Sequence, residues 1–164
     1  MKALVTGASG IVGANLVREL LAAGWSVRAL VRPGPPRRAL AGLGVEIAAG
    51  DVLDPRSLAD AATGVQVVFH AAARFSYGGA PRDEMDRVAV EGTRNVIRAA
   101  AAAGVQRFVL TSSSVVFGSS PSAEPRDESS RFTTDDASAY AVSKVRQSSA
   151  AFATAAAEGI DLVA

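Results

Sequence analysis

Tyr140 and Lys144 stand four residues apart near the start of a predicted helix. Four residues is about one helical turn, so a phenol and an ammonium share a face. An ordinary phenol titrates near ~10, too high to exchange protons freely at neutral pH. A fixed cation beside it stabilises the phenolate and lowers that value, which suits a tyrosine acting as general acid or base. The chain has 17 basic residues, and only Lys2 and Lys144 among them are lysines. In a sequence that so favours arginine, a lysine here points to a need for a compact, pKa-responsive ammonium. Taken alone, such a pair is also ordinary helix decoration. The elements that would have to position it carry the argument further.

Residues 1–31 read as strand, glycine turn, helix and second strand. Lys2 to Thr6 is a short apolar strand, followed at once by Gly7, Gly10 and Gly13 at three-residue spacing. The helix runs to Ala23, with Val12, Leu16 and Leu20 on one stripe and Val17 and Leu21 beside it. Gly24 stops it, and Ser26 to Val31 is the next strand. Glycines between a strand and a helix let backbone N–H groups approach a pyrophosphate at the positive helix end. A tight strand-to-helix turn also needs glycine for purely structural reasons; the strand–turn–helix context favours the dinucleotide site.

Strands and helices continue to alternate, the pattern of a parallel sheet covered on both faces, an α/β doubly wound fold. A short helix is expected over Arg37 to Leu43, after the breaker Pro33 to Pro36, and a strand over Val45 to Ala49. Asp54 and Pro55 read as N-cap and first helical residue of a helix to about Ala61. Val65 to His70 is a strand, Arg82 to Ala103 one long helix behind Pro81, and Arg107 to Ser112 a strand. Polar Ser119 to Asp135 is a loop, and Ala137 to Ala157 is the Tyr–Lys helix, closed by Gly159. The alanine run Ala99 to Ala103 reads as close packing rather than low complexity.

Thr6 to Gly13 (TGASGIVG) together with Tyr140 to Lys144 (YAVSK) resembles the short-chain dehydrogenase/reductase superfamily. Gly50 to Asp54, Val68 to Ala73, Val90 to Val96 and Phe108 to Gly118 point to its extended branch, the NAD(P)-dependent epimerase/dehydratase proteins. Within that branch the style is similar to dihydroflavonol-reductase-like and 3β-hydroxysteroid-dehydrogenase-like members. The resemblance runs the whole length in order. It implies that residues 1–164 form an NAD(P)-binding Rossmann-type domain whose sixth strand begins at about Ile160. Extended members run on for roughly another chain length and build most of the substrate pocket there, so a C-terminal substrate domain is expected to be lacking.

The resemblance also implies roles. Gly7, Ser9, Gly10, Ile11 and Gly13 would cradle the cofactor, with Asp51 and Val52 at the adenine and Ala71, Ala72 and Ala73 along its path over the sheet edge. Asp51 after Gly50 is equally a turn-forming residue. An acidic residue holding an NAD ribose would sit at the end of the second strand; Arg32 stands there, with Arg37 and Arg38 following. A guanidinium suits a 2′-phosphate, and reductases with a similar Val27-Arg-Ala-Leu-Val-Arg32 strand tend to use NADP, so NADP(H) is favoured over NAD(H). Arg32 read plainly is one more surface arginine. The family pattern puts the substrate-polarising serine at Ser113, with Ser114 as runner-up in a serine run. Ser113 would then bind the substrate oxygen and Tyr140 move its proton, while Lys144 tunes the tyrosine and holds the nicotinamide ribose. The family often has Asn where this chain has Ala89, which puts a water relay behind the lysine in doubt. Phe75 and Tyr77 either line a substrate pocket or pack their own loop.

The expected function is hydride transfer between a nicotinamide and a carbonyl or secondary alcohol. A nucleotide-sugar epimerase or dehydratase with retained NAD, or a non-catalytic NAD(P)-binding sensor, is the alternative. Composition agrees with a cytoplasmic enzyme acting on a small molecule. A net charge of +1 with scattered charges favours neither nucleic acid nor an anionic membrane. There are no cysteines, hence no disulfides or thiolate metal sites. His70, the single histidine, reads as packed or cofactor-adjacent rather than as a metal ligand. The first residues enter a strand at once, leaving no room for a signal peptide, and no apolar run approaches the ~20 residues of a membrane span. A homodimer is compatible with all of this.

Overall fold

The computed structural model describes residues 1–34, 38–74, 81–118, 124–130 and 138–164. Phe75, Tyr77 and Arg37, and much of the expected loop from Ser119 to Asp135, lie outside the described residues. Six strands form one parallel sheet: β1 Lys2–Thr6, β2 Ser26–Val31, β3 Glu46–Ala49, β4 Val67–His70, β5 Arg107–Leu110 and β6 Asp161–Val163. Their order is β3-β2-β1-β4-β5-β6, so the winding reverses between β1 and β4. Register there pairs Val5 with Phe69 and Thr6 with His70, bringing the last residues of both strands level at the carboxyl edge. In open α/β sheets this reversal is where ligands bind.

The helices are α1 Ile11–Ala22, α2 Pro55–Ala62, α3 Arg82–Asp86, α4 Thr93–Ala102 and α5 Ala139–Glu158. Local chemistry sets their ends. Asp54 accepts from Arg56 N at 3.1 Å and Pro55 occupies the first turn of α2. Ser138 Oγ accepts from Ala141 N at 3.1 Å at the start of α5, and Gly159 closes it in the left-handed region at φ 69°. Arg28 from β2 donates to the carbonyls of Ala61 and Thr63, both at 2.7 Å, satisfying the end of α2.

Alternating strand residues feed two cores. On one face Leu4, Val68, Phe108 and Leu110 meet Leu58, Val96, Ile97 and Ala151 from α2, α4 and α5. On the other, Ala3, Val5, Val27 and Ala29 meet Val17 and Leu20 of α1. That second face has a single helix among the described residues. Phe69 and Val109 are half-buried there, beside an open hollow of about 350 Å³ that also touches Met1, Trp25 and Val67.

Three expectations are corrected. The buried stripe of α1 is Gly13, Ala14, Val17 and Leu20, while Val12 is exposed; Gly13 must lie against the turn, and this rolls the helix. The helix expected over Arg37 to Leu43 is one 3₁₀ turn at Arg38–Leu40. The long helix from Arg82 is interrupted by a wide π-turn over Arg87–Gly92. Gly92 packs so closely on Val52 that a Cβ there would sit 2.8 Å from Val52 Cγ2. The extra residue also re-phases the helix beyond it, and Thr93 is fully buried. No helix among the described residues is long and apolar enough to cross a membrane.

The turn after β1 leaves no room for a side chain at Gly7 or Gly13. Gly7 has φ 67°, and a Cβ on it would lie 2.7 Å from the Ala71 carbonyl carbon and the Ala72 nitrogen. A Cβ on Gly13 would strike Gly7 O and come 2.9 Å from Ala8 Cα. Gly24 also has positive φ, 79°, but open space around it. Gly13→Ala should therefore cost about 1–3 kcal/mol through overpacking of backbone on backbone. Gly24→Ala should cost only about 1 kcal/mol of left-handed strain. Urea unfolding of both variants checks the order, and equal losses would contradict the packing account.

Candidate active site

The carboxyl edge at the β1/β4 reversal gathers most of the candidate residues. Gly10 N donates to Gly7 O at 2.9 Å and closes the turn. Gly10 is the N-cap of α1 and brings no side-chain acceptor to the first-turn amides. Ser9, Gly10 and Ile11 are exposed, Ile11 by 86%. Uncapped N–H groups at an exposed helix start, beneath a turn where side chains do not fit, suit a pyrophosphate. Ala71 and Ala72 are half-buried against Gly7, and Ala73 is exposed. Arg32 is exposed directly after β2. Asp51 follows β3, and its Oδ1 accepts from Leu53 N at 2.9 Å. Its turn-forming role is thus realised, with the second carboxylate oxygen left over. Val52 is buried under Gly92.

Lys144 is 6% exposed. Its Nζ donates to the carbonyl of Thr111, the residue after β5, at 2.9 Å, and to Gln147 Oε1 at 2.8 Å. Burial lowers its pKa. Thr111 leads directly into the serine run. Ser113 is half-buried in extended backbone, and its Oγ accepts from Val115 N at 3.4 Å at the start of a 3₁₀ turn over Ser114–Phe117. Ser114 is exposed. That 3₁₀ turn packs on α5, and Tyr140 is half-buried one turn before Lys144. A single carbonyl thus ties the lysine to the segment bearing Ser113 at the end of β5, and Tyr140 lies one turn before the lysine on α5.

Sequence reading missed Gln147, Thr93 and Thr6 as members of this region. Gln147 is 1% exposed. Its Nε2 donates to Thr93 Oγ1 at 2.9 Å, which pairs with His70 Nε2 at 3.0 Å. His70 Nδ1 pairs with Thr6 Oγ1 at 2.7 Å, and Thr6 Oγ1 accepts from Ala72 N at 3.3 Å. The available signal was an uncharged polar residue three positions after Lys144, on the same helix face. His70 also tilts against Phe108, ring centroids 5.7 Å apart. It is a packed core residue.

The model of the NAD dependent epimerase/dehydratase family matches residues 3–164. The chain belongs to that family. The resemblance read from the glycine turn and the Tyr–Lys helix is thereby borne out. A sterol demethylase protein B of Methylococcus capsulatus is 49% identical over 121 residues, covering 74% of this chain and 37% of the relative. A 3-beta-hydroxysteroid dehydrogenase of Mycolicibacterium neoaurum is 39% identical over 150 residues, 88% of this chain and 40% of the relative. Among solved structures, DesIV, a dTDP-glucose 4,6-dehydratase of Streptomyces venezuelae with NAD and TYD bound, superposes with TM-score 0.87 at 31% identity. That match covers 99% of this chain and 54% of DesIV. The chain thus spans about half of that epimerase/dehydratase structure, and less than half of the two curated relatives.

Burial, then the Lys144 charge, lowers the His70 pKa to about 3, against an ordinary value near ~6.5. Between those values the unfolded chain binds the proton and the folded chain does not, so stability falls as pH drops through the window. The slope should be about 1.4 kcal/mol per pH unit, beyond whatever the carboxylates add. His70→Gln removes the titrating group, and urea unfolding of that variant from pH 7 to 4.5 should show a shallower decline. Parallel declines of variant and wild type would mean that His70 protonates inside the fold.

Proposed function

We propose that this chain is the cofactor-binding part of an NADP(H)-dependent oxidoreductase acting on a carbonyl or secondary alcohol of a small molecule. The observation that carries the reading is the buried Lys144 ammonium, held by the Thr111 carbonyl at the carboxyl end of β5, one turn from Tyr140 and beside the segment of Ser113. A buried cation costs several kcal/mol to maintain, and catalysis at the adjacent phenol gives it a use.

The residues fit a dinucleotide. First-turn amides of α1 would take the pyrophosphate at Gly7, Ser9, Gly10, Ile11 and Gly13. Asp51 and Val52 would meet the adenine, and Ala71 to Ala73 would leave room across the sheet edge. Bound NADP(H) would supply or accept the hydride. Ser113 Oγ donates a hydrogen bond to the substrate oxygen, and Tyr140 Oη gives or takes the proton at that oxygen. The Lys144 ammonium stands one turn from Tyr140 on the same helix, and its remaining N–H is available to the nicotinamide ribose. A second reading, an NAD-retaining epimerase or dehydratase acting on a nucleotide sugar, draws on the likeness to DesIV with NAD bound. Cytoplasmic location and homodimer formation belong to the same proposal.

Tyr140→Phe should leave cofactor affinity nearly unchanged and cut turnover of the enzyme by about two decades or more, the scale of general acid–base catalysis. Stopped-flow or steady-state reduction of a carbonyl panel checks this, and retained turnover would sink the assignment. Arg32 bears the cofactor preference: Arg32→Asp should weaken NADPH binding and bring NADH near parity, since an acid repels a phosphate and accepts from a ribose hydroxyl. Nicotinamide fluorescence titration reads it. Tighter binding of NADH than NADPH by the unmodified chain would favour the nucleotide-sugar reading instead.

A further inference from the structure

Lys144 faces two acceptors, and neither is charged. The Thr111 carbonyl is backbone, available in any sequence that forms β5. Gln147 Oε1, 2.8 Å from Nζ, is a choice of side chain. An ammonium has only donors, so the amide must turn its oxygen to the lysine and its NH₂ the other way. That NH₂ meets Thr93 Oγ1 at 2.9 Å. The hydrogen-bonded run then crosses the sheet through His70 and Thr6 to Ala72 N. A neutral imidazole has one donor and one acceptor nitrogen and can serve both threonines at once.

Gln147 is therefore linked at one end to the ammonium and at the other to the strand ends beside the glycine turn. Ala89, at the position where the family often has Asn, is buried in the π-turn and offers nothing polar. We infer that Gln147 is a positioning residue for Lys144. It presents a neutral acceptor that fixes the ammonium, and its tether through Thr93 and His70 holds that acceptor in register with the cofactor-side edge of β1 and β4. The inference deepens the proposed Tyr140–Lys144 chemistry and rests on it for its functional meaning.

The neutrality of Gln147 matters as much as its position. A carboxylate at 2.8 Å would offset much of the positive charge of the ammonium. An apolar residue of the same size would leave a buried donor without its partner. Among the described residues, the Lys144 charge acts on His70 of β4, and Tyr140 lies one turn before Lys144 on α5. Among the described residues, the carboxylates of the surrounding elements pair with arginines, Asp86 with Arg146, Glu84 with Arg74, Glu91 with Arg87, Glu158 with Arg98 and Asp161 with Arg107, and Asp83 of α3 is exposed. Residue 147 is in direct hydrogen-bond contact with the ammonium, so a change there alters the surroundings in which Lys144 titrates.

The chain's two lysines make the test direct. Selective ¹³C-lysine labelling should give two side-chain signals in NMR, with Lys2, half-buried and paired with Glu46 far from residue 147, as internal reference. Gln147→Glu should raise the Lys144 titration midpoint by about 1 unit or more, the effect of an adjacent opposite charge. Gln147→Met, close in volume, should lower it, while Lys2 stays where it is in both. Folding of each variant is followed by circular dichroism. If Gln147→Met does not fold, the Gln147→Glu shift decides alone. A Lys144 midpoint unmoved in folded Gln147→Glu would overturn the inference and reduce Gln147 to a satisfied core amide. Nicotinamide binding by the wild type, measured separately, tests the cofactor reading; its failure would leave the lysine titration result standing.

Discussion

A positive charge is buried at the carboxyl edge of this sheet, and much of the surrounding structure answers to it. Lys144 gives up water for a backbone carbonyl and a side-chain amide, both neutral. Such an arrangement is stable only where each acceptor is itself held in place, since a misplaced acceptor leaves the full desolvation cost. The carbonyl is held because Thr111 N donates to His70 O at 3.0 Å, continuing the β4–β5 ladder. The amide is held by a threonine on another helix. The π-turn brings Thr93 inward, and the close approach of Gly92 to Val52 anchors that turn.

The same edge is constrained from the other side by backbone packing. Gly7, Gly13 and Ala71 approach so closely that a single Cβ would displace them. Thr6 joins the two constraints: it ends β1, receives Ala72 N and pairs with His70. The glycine turn and the Tyr–Lys helix, far apart in sequence, are therefore linked through one run of buried polar groups. Every buried side-chain nitrogen and oxygen among the described residues has a partner, as a polar network in an apolar core requires.

The two faces of the sheet are unequally covered. Helices α2, α4 and α5 pack one face, whereas the other is packed by α1 and by Leu40 of the 3₁₀ turn among the described residues. On that second face Phe69 and Val109 remain half-buried and Val163 is 43% exposed. Parallel sheets are normally buried on both faces.

Much of this protein is determined by the sequence alone, because the determinants are local. Apolar runs bounded by glycines yield the strands, Asp54–Pro55 and Ser138 start helices, and Gly24 and Gly159 end them, each through contacts within a few residues. The glycine turn and the four-residue Tyr–Lys spacing likewise declare the family. Only the tertiary structure decided the rest. The buried side of α1 arises from Gly13 meeting Gly7, not from hydrophobic periodicity, which favours Val12 and Leu16. The break in the long helix from Arg82 has no proline to announce it and arises from packing at Gly92. Gln147 looks like one more polar helix residue until α4 and β4 close around it. The reason is physical. Turns and caps are satisfied by neighbours in the chain, whereas a buried amide acquires its role only from the partners that folding brings within hydrogen-bond reach of it: Lys144 at 2.8 Å and Thr93 at 2.9 Å.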